Sequence, residues 1–135
     1  MVSRGQGPAP AHQDDEDGLV KQLTEALRQF AAERDWDQYH TPKNLSMALS
    51  VEAGELVEIF QWLTSGQSAN LSPEQHQHLR EEIGDVLLYL LRLADVTGID
   101  PEQAAWEKLE MNAKKYPAHL ARGRMDKYTA YEEET

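Results

Sequence analysis

Apolar residues recur along most of this chain at the three- and four-residue spacing of amphipathic helices. Leu19, Leu23, Ala26, Leu27 and Phe30 share one face and predict a first helix over 19–34. Leu45, Leu49, Leu56, Ile59 and Leu63 mark a second over 42–64. In a third, over 73–96, Ile83, Val86, Leu87, Leu90, Leu91 and Ala94 form the side expected to be buried, with Glu82 and Asp85 at its edge in line with Tyr89. A fourth covers 101–115 and stops before Tyr116-Pro117, since a residue ahead of Pro avoids helical geometry. Three starts share one grammar, an N-cap residue followed by Pro: Thr41-Pro42, Ser72-Pro73 and Asp100-Pro101. Gln75 and Gln103 are expected to complete capping boxes at the last two, and Ser65-Gly66 and Gly98 to end the second and third helices. No stretch reads as a strand. The expected fold is all-α, a four- to five-helix bundle.

Length and composition refine this picture. The 135 residues suit one domain with a core. Residues 1–17, rich in Gly, Pro, Gln and Asp, are expected to be a disordered tail, with His12 solvated in it. The domain is expected over 18–129 and a flexible acidic end over 130–135. No apolar run approaches the roughly 20 residues that span a bilayer, so no membrane association is expected. Neither a signal-peptide core nor any cysteine is present, which excludes disulfides and thiolate chemistry and makes a cytoplasmic location the expectation. A net charge of −11 argues against nucleic acid as a partner. Six of the 13 Lys and Arg fall between Lys108 and Lys127, a basic stretch able to meet a small polyanion.

The chemistry centres on two acidic pairs, Glu52-Ala-Gly-Glu55 and, after 26 further residues, Glu82-Ile-Gly-Asp85. A spacing of three sets each pair about 60° apart on its helix. Glu52 falls in a gap of the apolar stripe, a position the pattern assigns to the interior. Carboxylates gathered in a poorly solvated place repel one another or take up protons unless a cation sits among them. Oxygen-only ligands without His or Cys point to Mg²⁺ rather than Zn²⁺, with Mn²⁺ able to substitute. No Gly-rich phosphate loop and no Glu-x-x-His di-iron spacing accompanies them. The loop Arg34-Asp-Trp-Asp-Gln-Tyr-His40 brings Trp36, Tyr39 and His40 close together in sequence.

Glu-x-x-Glu followed by Glu-x-x-Asp resembles the motif of the MazG-like superfamily of all-α nucleoside triphosphate pyrophosphohydrolases. Phe30-Ala-Ala-Glu-Arg-Asp-Trp36, Phe60-Gln-Trp62 and Tyr116-Pro-Ala-His-Leu-Ala-Arg122 resemble its dCTP pyrophosphatase branch. The likeness implies hydrolysis between the α and β phosphates of a deoxynucleoside triphosphate, with dCTP or a modified dCTP as the expected substrate, to a monophosphate and pyrophosphate. It implies Glu52, Glu55, Glu82 and Asp85 as metal ligands, with Glu55 expected to act on the attacking water. It implies Lys108 and Asn112 near the substrate, Tyr89 against the sugar, and Trp36 and Trp62 as stacking residues. Lys115 and Tyr116 are further substrate candidates on the same segment. A first-helix position that carries a base-contacting His in vertebrate members is Leu27 here, which leaves the base open. Homo-oligomers, dimers or dimer-of-dimers tetramers, are likewise implied. Related enzymes acting on dUTP, a damaged triphosphate or phosphoribosyl-ATP, and a non-enzymatic acidic helical adaptor, remain as alternatives.

Overall fold

A computed structural model describes residues 18–134, so the expected tail over 1–17 lies outside the described residues. In chain order the elements are α1 (Leu19–Glu33), α2 (Pro42–Phe60), the single turn α3 (Ser65–Ser68), α4 (Pro73–Val96), α5 (Pro101–Lys115), and the single turns α6 (Ala118–Ala121) and α7 (Thr129–Glu132). The fold is all-α, with no strand among the described residues.

Local capping chemistry sets the starts. The Thr41 hydroxyl accepts from the Asn44 N–H, and Ser72 with Gln75 forms a complete capping box. Asp100 accepts from the Glu102 and Gln103 N–H groups, but the Gln103 side chain donates onward to Glu107 at 3.0 Å, so the expected second box is only half made. A box arises instead where a stop was expected. Thr64 accepts from the Gln67 N–H while Gln67 Oε1 accepts from the Thr64 N–H at 2.9 Å, so Ser65-Gly66 opens α3 and α2 ends four residues early at Phe60. Gly98 does end α4, with φ of 71°, in the region open to Gly at little cost.

The central pair is α2 against α4, with α1 laid across α4. The fully covered apolar side chains are few: Ala31, Leu45, Leu91, Ala94 and Tyr131. The expected buried side of α4 needs correction. Ile83, Leu87 and Leu90 are 51%, 43% and 46% exposed, whereas Glu82 and Arg92 are each only 7% exposed. The second half of α4 is apolar in three directions, and α1 and α2 cover only two of them. The acidic edge therefore faces inward, and an apolar stripe faces out.

Helix α5 has no buried residue and leaves Trp106, Leu109 and Met111 exposed. It is met instead by the C-terminal segment. Tyr116 sets its ring edgewise against Tyr128 and Tyr131, at 6.5 and 5.9 Å between centroids, and Lys115 Nζ lies 5.0 Å from the Tyr128 ring centre. Tyr131 is buried, and Arg124 binds both Asp126 and Glu134. Where a flexible end was expected from 130, this aromatic contact holds α7 in place. No helix among the described residues is long and apolar enough to cross a membrane.

Candidate metal centre and adjoining pocket

Packing of α2 on α4 brings Glu52, Glu82 and Asp85 together: each offers a carboxylate oxygen within 4.8 Å of the other two. Glu52 Oε2 and Glu82 Oε2 are both buried with no hydrogen-bond partner. An unpartnered buried carboxylate oxygen costs on the order of 1–3 kcal/mol or more, and two of them facing a third acid make a site that fits a hard divalent cation. His78 Nε2 stands 3.4 Å from Glu82 Oε1, a turn away on α4. Glu55 is not one of the triplet; it flanks Glu52 and acts on that carboxyl. Burial first, then hydrogen bonding with Glu55 and Glu82 and repulsion from Glu55 and Asp85, push Glu52 up to about 7.

The sign of that shift has a consequence for the metal-free protein. The fold holds a proton on Glu52 that the unfolded chain releases near pH 4.5. Its contribution to stability is therefore greatest below that pH and is lost as pH rises towards about 7. Urea midpoints of chelator-treated protein should fall between pH 5 and 8, and saturating divalent metal should shrink the fall by replacing the proton. A midpoint that rises with pH in the absence of metal would contradict this account of Glu52.

Beside the triplet lies a pocket of about 200 Å³ that has Asp85 on its wall. Leu27 and Phe30 of α1, Trp36 and His40 of the following loop, and Leu88, Tyr89 and Arg92 of α4 complete it. Phe30 and Trp36 meet edge to face at 5.6 Å. Arg92 anchors the loop to α4: it donates from Nε to His40 Nδ1 at 3.1 Å, from Nη1 to Asp95 at 3.3 Å, and from Nη2 to Asp37. Arg28 of α1 binds Asp95 through Nε at 2.8 Å and through Nη2. Asp95 is consequently held below the usual carboxylate range, first by the Arg28 hydrogen bonds. Burial and the Arg92 charge lower His40.

Of the residues singled out in the sequence, Trp36, Tyr89 and Asp85 meet at this pocket. Trp62 does not; it sits in the turn after α2 and is 87% exposed. Lys108 and Asn112 lie on α5, away from the pocket wall, and Lys115 and Tyr116 are engaged with Tyr128 and Tyr131. Phe30 and His40 stand in the quoted motif and loop without an assigned role, and Arg92 is a pocket residue outside every motif. Arg92 had a signal, as a lone cation within the apolar run from Val86 to Val96.

Residues 47–130 match the sequence profile of the MazG-like family. The chain is 48% identical over 103 residues to human dCTP pyrophosphatase 1 and 46% identical to the mouse protein of that name, in each case over 75% of this chain. It spans 61% of the length of those relatives. The crystal structure of a pyrophosphatase from Archaeoglobus fulgidus superposes with a TM-score of 0.69 at 44% identity, over 73% of this chain and 92% of that one.

Proposed function

Because the chain belongs to the MazG-like family, we propose that it is a Mg²⁺-dependent nucleoside triphosphate pyrophosphohydrolase, taking dCTP or a modified dCTP to the monophosphate and pyrophosphate. The observation that carries this reading is the pair of orphaned carboxylate oxygens in the Glu52, Glu82 and Asp85 triplet, next to an aromatic pocket that shares Asp85. Likeness to proteins named dCTP pyrophosphatase supports the substrate. The cytoplasmic location expected from the sequence is part of this reading.

In this scheme Glu52, Glu82 and Asp85 would hold the metal. When bound, Mg²⁺ would offset charge on the phosphate oxygens and lower the pKa of a water near them. Glu55, outside the triplet, would take the proton of the attacking water, while Glu52, its own proton displaced by the metal, would stay ionised as a ligand. Phe30 and Trp36 offer faces and edges for a base, and Tyr89 closes the space beside the sugar, where a 2′-hydroxyl would crowd it. Lys108, Asn112, Lys115, Tyr116 and Trp62 would reach the phosphates and base from a neighbouring copy. The apolar stripe on α4 and the bare faces of α5 support such a homo-oligomer, as a dimer or a dimer of dimers.

A panel of deoxy- and ribonucleoside triphosphates, assayed with Mg²⁺, tests the reading. The expected order sets dCTP first, deoxy above ribo, and purines last. Preference for dUTP or for an oxidised purine triphosphate would move the substrate within the family, and preference for ribonucleotides would remove the role given to Tyr89.

A further inference from the structure

We propose that His78 is a positioning residue of the metal centre, setting its Nε2–H against Glu82 Oε1 and so fixing the plane in which Glu82 presents its other oxygen to a divalent cation. The inference rests on the reading of Glu52, Glu82 and Asp85 as metal ligands and concerns a side chain outside that triplet. It starts from helix geometry. Residues four apart share one face of α4, and each Cα–Cβ bond leans towards the helix N-terminus, so Glu82 reaches back towards His78. His78 Nε2 accordingly stands 3.4 Å from Glu82 Oε1. The Glu82 side chain is 9% exposed and that of His78 56%, so the imidazole covers the solvent side of a buried carboxylate.

The two oxygens of Glu82 thus keep different company. Oε2 is buried without a hydrogen-bond partner, whereas Oε1 faces the imidazole edge. An ionised carboxylate only accepts, so the proton of a neutral ring facing it belongs on Nε2. At 3.4 Å the contact is longer than a good N–H···O bond and acts as a dipole on a charge. The last torsion of a glutamate is soft, and a donor held against one oxygen fixes the carboxylate plane and the direction in which the other offers its lone pairs. Groups that orient a ligating carboxylate in this way govern metal affinity by roughly ten- to a hundredfold. His78 is not among the groups whose ligand atoms converge within 4.8 Å, so it acts through Glu82 and not on the ion. His76, two residues earlier and also exposed, projects from the opposite side of the helix.

Calorimetric titration of the metal-free protein with Mg²⁺, Mn²⁺ and Ni²⁺, without nucleotide, tests this in the wild type, His78→Leu, His78→Gln and His76→Leu. Position 78 already meets water, so these variants keep the fold. His78→Leu should weaken all three metals by a similar factor, roughly ten- to a hundredfold. His78→Gln, whose amide carries a donor to a similar reach, should recover most of the loss, and His76→Leu should change little. In ¹⁵N NMR in alkaline buffer, the His78 ring should be protonated at Nε2 both before and after Mg²⁺ is added. A loss confined to Ni²⁺, of the three the metal best suited to imidazole, or a ring that gives up its Nε2 proton to the metal, would make His78 a ligand and overturn the positioning role. Unchanged affinities in His78→Leu, or an equal loss in His76→Leu, would also overturn it and leave the metal centre standing. A wild type that binds none of the three metals would overturn both. The expected affinities without turnover of any triphosphate would uphold His78 and reject the hydrolase alone.

Discussion

Glu52→Gln should raise the melting temperature of the metal-free protein at pH 8 and, in the same molecule, abolish its response to Mg²⁺. Glu52 is pushed up to about 7 by burial and by its acidic neighbours, so at pH 8 the metal-free fold carries a charge it resists. The amide keeps the shape and removes the charge. In the wild type, Mg²⁺ at 100 times its Kd should add about 2.7 kcal/mol, a rise of roughly 10 °C for a domain of this size. The variant should show almost none of it. Turnover should fall on the order of a thousandfold, the scale seen when a charge-stabilising contact is removed from a reacting centre. If the triplet were instead a structural cluster, the variant would melt lower without metal, and Mg²⁺ would leave both proteins unmoved.

In the proposed homo-oligomer, Leu87→Glu should leave monomers and take most of the activity with it. Ile83, Leu87 and Leu90 recur at spacings of four and three on one side of α4, and all stand about half exposed in the single chain. Covering three such side chains is worth several kcal/mol, at about 1.5–3 kcal/mol for each one fully buried. A glutamate in the middle of that contact would be desolvated without a partner, at a cost of several kcal/mol. The isolated chain should accept it, because position 87 already meets water, so the far-ultraviolet circular dichroism should be unchanged. Light scattering at micromolar concentration should show the change in mass, and the rate should drop at least tenfold, since Lys108 and Asn112 then have no neighbouring pocket to complete. A monomeric wild type, or a Leu87→Glu protein that stays assembled and fully active, would remove the neighbour from the mechanism.

What could be read from the sequence depended on how local its cause was. The starts at Pro42, Pro73 and Pro101 follow from a cap residue and a proline side by side, and the structure has all three. The cap at Thr64 is masked because Ser65-Gly66 resembles a helix end; the deciding group, Gln67, lies three residues on with no proline beside the cap. The acidic triplet was legible because Glu52 interrupts an apolar stripe, a pattern visible within one helix. Which side of α4 its own chain would cover was not, since periodicity marks apolar faces without saying what packs on them. Arg92 stands out as a cation in an apolar run, but what it binds is beyond reach of the sequence for another reason. Its partners His40 and Asp37 lie 52 and 55 residues away, and only the crossing of the loop over α4 pairs them.

Phosphorus NMR of dCTP incubated with the protein and Mg²⁺, beside a Glu82→Gln control, follows the proposed cleavage itself. Signals of dCMP and pyrophosphate that grow together, and are absent with the variant, are the predicted result. Formation of dCDP and orthophosphate, or unchanged dCTP under conditions where Mg²⁺ is bound, would contradict it.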